Sequence, residues 1–222
     1  MLENDYVNLY LNTGYGFSSP TGLITLFLLA MMRILPILSF APYLGAKLLP
    51  RPVKVGLGLA MFAIFFPMLL TVSPSNLTYN SFTWVLVVKE VFIGTLMGIL
   101  TTVPSFIVQG AGMFIDHQRG GASLQVQDPT MQNQASPIGT LYDLIYIFLF
   151  WLVDGPFILI ETIHHSFEVV PPDKLLNPAF FTADSPFWLN VVELFNHIMK
   201  LIVQLASPSL IIILMTDTFL GI

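Results

Sequence analysis

Charged residues inside long apolar runs are the feature that most constrains how this chain folds. Of its 222 residues, 55% are hydrophobic and 9% are charged. The charges that nevertheless fall inside apolar runs are Arg33, Lys89, Glu90, Asp143, Asp154, Glu161, Glu193, Lys200 and Asp217. A charge that faces lipid costs at least ~2.5–3.5 kcal/mol. The helices must therefore turn these charges toward water, toward each other or toward another subunit, which predicts part of a polar-lined assembly.

Five apolar segments predict an all-α polytopic membrane protein that forms a single membrane domain. They are residues 21–40, 53–72, 82–109, 140–163 and 187–219. A helix that spans a bilayer needs about 20 residues, and every segment reaches that length. No segment alternates between polar and apolar residues for long enough to form a barrel strand.

Prolines and glycines predict that these helices are kinked and closely packed. Proline removes a backbone N–H and disturbs the carbonyl four residues earlier, so it kinks or breaks a helix. The prolines within or near the ends of apolar runs are Pro36, Pro67, Pro104, Pro156 and Pro208. Gly94 and Gly98 form a pair of small residues that lets another helix approach closely. That helix belongs either to the same chain or to a neighbouring subunit.

The fourth apolar segment carries three carboxylates at helical spacing. On a straight helix, Asp143, Asp154 and Glu161 would fall within about 20° of one face. Such an acidic stripe could meet basic groups of a neighbouring subunit or line a path for cations. The alternative is that Asp154, with Gly155 and Pro156 after it, caps a break in the helix and that Glu161 lies at the membrane interface.

Motifs that would indicate an enzyme, a metal site or nucleic-acid binding are missing from the sequence. Asp143 and Asp154 would lie about 16 Å apart on a straight helix, too far to share a proton as an aspartyl protease requires. The chain has no cysteine and no His-Glu-x-x-His motif, so neither pattern of zinc ligands is present. The net charge of −5 and the lack of a basic stripe argue against nucleic acid. We therefore expect no catalysis, cofactor or metal.

Residues 112–139 form a predicted polar loop that is long and rich in amide side chains. Loops of this length in a compact protein are usually functional or disordered. One interpretation is a solvated connection between helices. The other is a segment that folds into a central opening and seals it. The candidate sealing residues are Gln118, Arg119, Leu124, Gln125, Gln127, Met131, Gln132, Asn133 and Gln134.

Lysine and arginine in the short loops indicate how the chain is oriented in the membrane. The first loop, residues 41–52, contains Lys47 and Arg51, whereas residues 73–81 contain neither residue type. Basic loops stay in the cytoplasm. The first loop is therefore predicted to be cytoplasmic, with the N-terminus outside.

Five blocks spread along most of the chain resemble one family of membrane proteins. The blocks are FAPYLGAKLLPRPVKVG at 40–56, KEVFIG at 89–94, IDHQRG at 115–120, ASPIGTLY at 135–142 and MTDTFLGI at 215–222. Together, and in this order, they resemble the T component of the type III secretion export gate, whose flagellar counterpart is the R component. The first and fourth blocks are more similar to the virulence-type injectisome branch than to the flagellar one.

The resemblance implies a subunit of a helical, multi-subunit export gate in the bacterial cytoplasmic membrane. Family members assemble with the R and S components, a large nonameric export protein and an autoprotease-type switch protein. Unfolded secreted proteins pass through the gate. In this setting, Lys89, Glu90, Gly94, Gly98, Asp143, Asp154 and Glu161 are candidates for a subunit interface or a polar lining.

The resemblance also implies that the loop after the third apolar segment, about residues 118–137, is a plug. Family members continue past the last block into another apolar helix and a cytoplasmic tail, so we expect that this chain, which stops at Ile222, lacks that part. Two other functions fit the residues alone. One is a small-solute or ion transporter acting alone or as a homo-oligomer, and the other is a membrane-anchored scaffold.

Overall fold

Every regular secondary-structure element in the described part of the chain is a helix. The computed structural model describes residues 20–44, 49–73, 77, 79–120, 136–182 and 185–221. Its helices are α1 (Pro20–Phe40), α2 (Arg51–Val72), α3 (Ser81–Gln118), α4 (Pro137–Leu152), α5 (Gly155–Val169) and α6 (Pro186–Leu220). Short 3₁₀ turns lie after α1 at Pro42–Leu44 and before α6 at Pro178–Phe181. The all-α prediction is confirmed for these residues.

Four of the helices are long and apolar enough to cross a membrane. These are α1, α2, α3 and α6, while α4 and α5 meet the same criterion only as a broken pair, which would make five. Helix α3 has 38 residues and α6 has 35. At 1.5 Å per residue they extend about 57 and 52 Å, well beyond the ~30 Å hydrocarbon core of a bilayer. Both helices therefore reach past the hydrocarbon or cross it at a steep tilt.

Two of the predicted segments have different ends in the structure. Helix α3 continues to Gln118 instead of ending at residue 109, so the predicted loop 112–139 begins as helix. The segment 140–163 is not one helix, because it breaks at Asp154, which has φ 57° and ψ 27°. Of the five prolines, only Pro156 lies at such a break. Pro36, Pro67, Pro104 and Pro208 lie inside helices that continue through them.

Local sequence explains where several helices begin and end. Ser136 precedes α4 and its hydroxyl accepts a hydrogen bond from the backbone N–H of Gly139. Pro137 follows at the first helical position, where a missing N–H is not needed. Ser185 and Pro186 begin α6 in the same order. Gly221 ends α6 with φ 67°, a left-handed conformation that glycine adopts without steric cost.

The sequence predicted one membrane domain, and residue contacts divide the chain into two compact units. The first unit comprises Met1–Thr101 and Asp154–Pro178. Helix α1 supplies the largest share of its core, because Leu26, Leu29, Ala30, Ile34, Ile37 and Leu38 are almost completely buried. Phe65 and Leu69 of α2 and Ile163 and Phe167 of α5 are buried in the same core.

The second unit comprises Thr102–Val153 and Ala179–Ile222 and has a much smaller core. Ala111, Ile115 and Ala206 are buried at its centre, and Ile138, Tyr142, Leu210 and Ile213 pack around them. Only Ile198, Ile202 and Ala206 of α6 are buried. Most of this 35-residue apolar helix is therefore left exposed by its own chain, as expected for a surface that faces lipid or other subunits.

Candidate functional site

A cluster of buried charges lies at the centre of the first unit. The guanidinium of Arg33 on α1 donates to both carboxylate oxygens of Glu90 on α3, from Nε at 2.5 Å and from Nη2 at 2.8 Å. Neither residue has any exposed surface. Arginine–carboxylate pairs with two parallel hydrogen bonds are among the strongest polar contacts in proteins. The pair therefore fixes the spacing and register of α1 and α3.

Lys89 adds a second cation to this cluster. Its Nζ lies 2.7 Å from Glu90 Oε1. It also donates to the backbone carbonyls of Pro171, Pro172 and Lys174, at 2.9, 3.1 and 2.7 Å. Four acceptors more than satisfy the three protons of an ammonium group. Lys89 is thus fully occupied inside its own chain.

The buried cations bind the C-terminal end of α5. Arg33 donates from Nη1 to the carbonyl of Ser166 at 2.8 Å and from Nη2 to that of Val170 at 2.7 Å. Its guanidinium carbon lies 4.2 Å from the centre of the Phe167 ring. Helix C-termini carry unpaired carbonyls and a partial negative charge, so cations stabilise them. We call Arg33, Lys89 and Glu90 the charge clamp.

Helices α1 and α3 approach closely beside the charge clamp because two glycines leave room. A Cβ atom at Gly94 would collide with the backbone carbonyl of Arg33. A Cβ atom at Gly98 would lie 2.9 Å from the Phe40 side chain and 3.2 Å from the carbonyl of Pro36. The sequence left open whether the glycines pack against a helix of the same chain or of a neighbouring subunit. In the structure they pack against a helix of the same chain.

The charge clamp corrects one prediction from the sequence. Lys89 and Glu90 were expected at a subunit interface or in a polar lining, and they lie in the interior of the first unit instead. Arg33 was recognised as a charge inside an apolar run, but its partner was not. The partner is 57 residues away, and nothing in the local pattern of α1 identifies it.

Asp116 joins the two ends of the predicted plug loop within the second unit. Its carboxylate, near the end of α3, accepts hydrogen bonds from the Ser136 hydroxyl and from the Ile138 backbone N–H, the latter at 3.1 Å. Gly112 and Gly139 are so close that a Cβ atom at Gly112 would collide with the Gly139 backbone. The residues that flank the loop are thus held together, a base of the kind that compact surface loops have.

The predicted sealing residues lie mostly outside the described part of the chain. Gln118 is the last residue of α3, and Arg119 follows it with its N–H bonded to the carbonyl of Ile115. The residues that fall outside the description are Leu124, Gln125, Gln127, Met131, Gln132, Asn133 and Gln134. Their role stays a prediction, whereas the closed base of their loop is observed.

The predicted acidic stripe is not one helical face. Asp143 lies on α4, where its carboxylate accepts a hydrogen bond from Ser105 of α3, and the Ser105 hydroxyl accepts one from Gln109 at 3.0 Å. Asp154 is the residue at the break, so the alternative reading of a helix cap is correct in position, although its side chain makes no capping hydrogen bond. The prediction of a shared face is wrong because it assumed a straight helix.

Glu161 lies on the rim of an open apolar groove between α2 and α5. The groove has a volume of about 540 Å³, and its lining includes Phe65, Met68, Phe157 and His164. Glu161 is exposed and forms no hydrogen bond or ion pair with the rest of the described chain. One turn further on, His165 Nδ1 lies 3.1 Å from Glu168 Oε2 at the surface. The carboxylate of Glu161 is therefore available to a partner subunit, as the sequence predicts.

Tyr43, in the 3₁₀ turn after α1, is a buried phenol that the sequence did not single out. Only 6% of the residue is exposed. Burial raises the pKa of Tyr43 because the phenolate would lose its hydration, and a hydrogen bond with the Thr101 side chain lowers that pKa by a smaller amount. Tyr43 therefore stays neutral at physiological pH and ties the first loop to α3.

No group of three or more histidine, aspartate or glutamate side chains in the described ranges lies close enough to hold a metal ion. The polar side chains described above hold helices together within each unit.

Comparison with known proteins identifies relatives along nearly the whole chain. The sequence model of the family described as "Bacterial export proteins, family 1" matches residues 24–222. The chain is 28% identical over 191 residues to "Yop proteins translocation protein T" of Yersinia pestis, covering 85% of this chain and 69% of the relative. It is 27% identical over 197 residues to "Flagellar biosynthetic protein FliR" of Bacillus subtilis, covering 88% and 74%.

A third relative is named for the surface presentation of antigens. "Surface presentation of antigens protein SpaR" of Salmonella typhimurium is 22% identical over 194 residues, covering 87% of this chain and 70% of the relative. The names of the three relatives refer to translocation, flagellar biosynthesis and surface presentation of antigens.

Proposed function

We propose a function from one premise: this chain belongs to the bacterial export proteins, family 1, whose model matches residues 24–222. It is a core subunit of the type III secretion export gate. With its R and S partner subunits it forms the conduit through which unfolded proteins leave the cytoplasm. The family match over most of the chain is the single observation that carries this function.

The exposed apolar surface of the second unit supports a role inside a larger complex. Helix α6 leaves large apolar side chains uncovered along its length, with Phe195 69% exposed and Phe219 87% exposed. An apolar surface of this extent is covered by lipid or by other subunits. A multi-pass subunit surrounded by similar small membrane proteins satisfies this requirement.

The proposed assembly lies in the bacterial cytoplasmic membrane with the N-terminus of this chain in the periplasm. Its further partners are the large nonameric export protein and the autoprotease-type switch protein of the same apparatus. We assign the chain to the injectisome branch because of its blocks at residues 40–56 and 135–142.

The assembly is tested by purifying a tagged copy of the chain from its native membranes in mild detergent and measuring the intact mass. We expect one complex that contains several copies of the R and S components. Recovery of the chain alone or as a homo-oligomer would favour the small-solute transporter and overturn the gate. Recovery with flagellar basal-body proteins would overturn only the assignment to the injectisome.

We further propose that residues 118–137 seal the closed gate. Asp116, Ser136 and Ile138 support this proposal because they hold the base of the loop together. A path for unfolded chains selects no sequence, so it needs a seal against ions more than a precise binding site. Amide and methionine side chains can fill an irregular opening and later move aside.

The seal is tested by deleting residues 125–134 and measuring ion conductance across membranes that contain the assembled complex. We expect leakage of small ions with assembly intact. A variant in which the same residues are replaced by glycine and serine keeps the loop length and separates the effect of side chains from that of length. An assembled deletion complex with unchanged conductance would overturn the plug.

Glu161 and Asp143 are proposed contacts with neighbouring subunits. Glu161 is the stronger candidate because it is exposed beside an apolar groove, whereas Asp143 is half-buried against Ser105. We expect Glu161→Lys to weaken co-purification of the other gate subunits more than Asp143→Ala does. Equal detergent stability of both mutant complexes and the wild-type complex would exclude these carboxylates from the interface.

A further inference from the structure

Helix α6 carries a line of polar side chains along its exposed side. Asn190, Glu193, His197, Lys200 and Gln204 are all exposed. They follow one another at intervals of three, four, three and four residues, so they fall within an arc of about 80° and extend over about 21 Å. We call these five residues the polar row.

The polar row lies nearly opposite the side of α6 that packs in the second unit. Ile198, Ile202 and Ala206 are the buried residues of this helix. At about 100° per residue, the centre of that buried face is about 160° from the centre of the polar row. The row therefore points away from the core of the second unit.

The side chains of the polar row find no partner in the described part of their own chain. None of the five side chains makes a hydrogen bond or an ion pair with another described residue. Glu193 and Lys200 are two turns apart, about 10.5 Å along the axis, so they do not pair directly. These groups are left for water or for another molecule to solvate.

The surfaces of α6 beside the polar row are mainly apolar and are also exposed, with Asn196 as a polar exception. Val192 is 64% exposed, Met199 54% and Leu205 45%. These side chains suit lipid or an apolar partner. A glutamate, a lysine and a histidine in the middle of such a helix do not suit lipid, because charges within a membrane face a bundle interior or a water-filled cavity. The two kinds of surface on α6 therefore require different surroundings.

We infer that the polar row lines the water-filled conduit and hydrogen-bonds to the backbone of the unfolded polypeptide in transit, an inference that rests on the proposed gate. The row has one acidic and one basic residue, two amides and one imidazole, so it offers donors and acceptors without a net formal charge from Glu193 and Lys200. This chemistry fits a peptide backbone of any sequence.

The chain has no cysteine, so single cysteines can report on the surroundings of α6 in the full secretion complex. Each polar-row residue is replaced in turn, for example Asn190→Cys and Gln204→Cys. The matched controls are Val192→Cys, Met199→Cys and Leu205→Cys, which are exposed on the flanking surfaces. The probe is a water-soluble maleimide applied to membranes permeable from both sides.

We expect labelling at the polar row to be about ten-fold faster or more than at the controls. Maleimides react with the thiolate, apolar surroundings raise a thiol's pKa, and each pKa unit changes the thiolate fraction about ten-fold. Labelling should also fall several-fold when the conduit is blocked by a secreted protein fused to a domain that cannot unfold. Cysteines of the polar row, and not the controls, should cross-link to that blocked protein.

The inference is wrong if the polar row reacts no faster than the controls, or if its cysteines cross-link to a helix of a neighbouring subunit instead. Should a charged position fail to assemble, Asn190 and Gln204 provide the same comparison with uncharged residues. Secretion and co-purification of the unsubstituted chain test the proposed gate separately. A wild-type complex that assembles and secretes while its polar row stays unlabelled overturns this inference alone.

Discussion

Helices α3 and α6 are both apolar and both carry charges, but the charges of α3 are buried and those of α6 are exposed. On α3, Lys89 and Glu90 are buried with Arg33 in the charge clamp of the first unit. On α6, Glu193 and Lys200 are exposed in the polar row of the second unit. Both pairs look alike in the sequence, as charges inside apolar runs. A charge in such a run therefore indicates that a partner is needed, but not whether the partner lies inside or outside the chain.

The difference follows from what each unit offers to a charge. The first unit brings together a carboxylate and the backbone carbonyls at and beyond the end of α5. The guanidinium of Arg33 and the ammonium group of Lys89 therefore both have hydrogen-bond acceptors nearby. The second unit has a small core, and no described residue in it pairs with the side chain of Glu193 or Lys200. The charges of α6 therefore stay exposed.

Removing the carboxylate of the charge clamp should give the largest loss of stability. Glu90→Ala leaves Arg33 and Lys89 as buried cations without an anion, and breaking a buried pair in this way costs about 3–5 kcal/mol. The free energy of unfolding is measured in mixed micelles by titration with SDS, followed by tryptophan fluorescence. Glu168→Ala is the control, since its partner His165 is 72% exposed and such pairs contribute about 0–1 kcal/mol. Equal losses for the two variants would remove the distinction between buried and exposed charges.

Among the described residues of the second unit, Asp116 is the one buried carboxylate, and its removal should act like that of Glu90 on a smaller scale. Asp116→Ala leaves the Ser136 hydroxyl and the Ile138 N–H without their acceptor. A buried donor without a partner costs about 1–3 kcal/mol. The same unfolding titration gives this value, with Asp217→Ala, near the exposed end of α6, as a control that should stay within about 0.5 kcal/mol. No loss from Asp116→Ala would mean that the loop base is not held by this residue.

The close approach of α1 and α3 beside the charge clamp should resist added volume. Gly94→Ala places a methyl group against the backbone of Arg33, and overpacking of this kind costs about 1–3 kcal/mol. Gly56→Ala, on α2, meets nothing within 4 Å and should be neutral or slightly stabilising. The difference between their unfolding free energies isolates the packing. If both alanine variants have the same free energy of unfolding, α1 and α3 can move apart without a loss of stability.

The smallest effect on stability is expected in the polar row. Glu193→Ala removes an exposed side chain that makes no described contact, so the isolated chain should keep its free energy of unfolding within about 0.5 kcal/mol. Secretion by the complete apparatus should nevertheless fall. This variant is the direct counterpart of Glu90→Ala, and a loss of several kcal/mol would show that Glu193 serves its own chain after all.

The helices and many of their ends could be predicted from local sequence. Apolar length identified each membrane segment, and serine–proline pairs mark the starts of α4 and α6. The sequence prediction ends α3 too early. The polar residues Asp116, His117 and Gln118 are typical of a loop, but in the structure they are the polar end of the helix. The break at Asp154 is one of two alternatives that the sequence leaves open, because three carboxylates in register also fit a continuous face.

The contacts of the candidate sites could not be predicted in the same way. Arg33 and Glu90 are 57 residues apart, and Asp116 and Ser136 are 20 apart. Periodicity shows which face of a helix a residue occupies, but it does not identify the residue opposite. The sequence makes Lys89 and Glu90 candidates for a subunit interface or a polar lining, because a charge in an apolar run does not show which of several surroundings satisfies it.

The acceptors of the charge clamp have a consequence for how freely this chain can change. Ser166, Val170, Pro171, Pro172 and Lys174 are bound through their backbone carbonyls. Every residue type has that carbonyl, so substitutions at these five positions keep the hydrogen bonds as long as the backbone path is kept. Phe167 is different because its ring is buried against Arg33, and substitutions at Arg33, Lys89 and Glu90 have no such freedom either. Mutational tolerance is thus divided unequally across one contact, because fixed side chains on one side bind backbone carbonyls on the other.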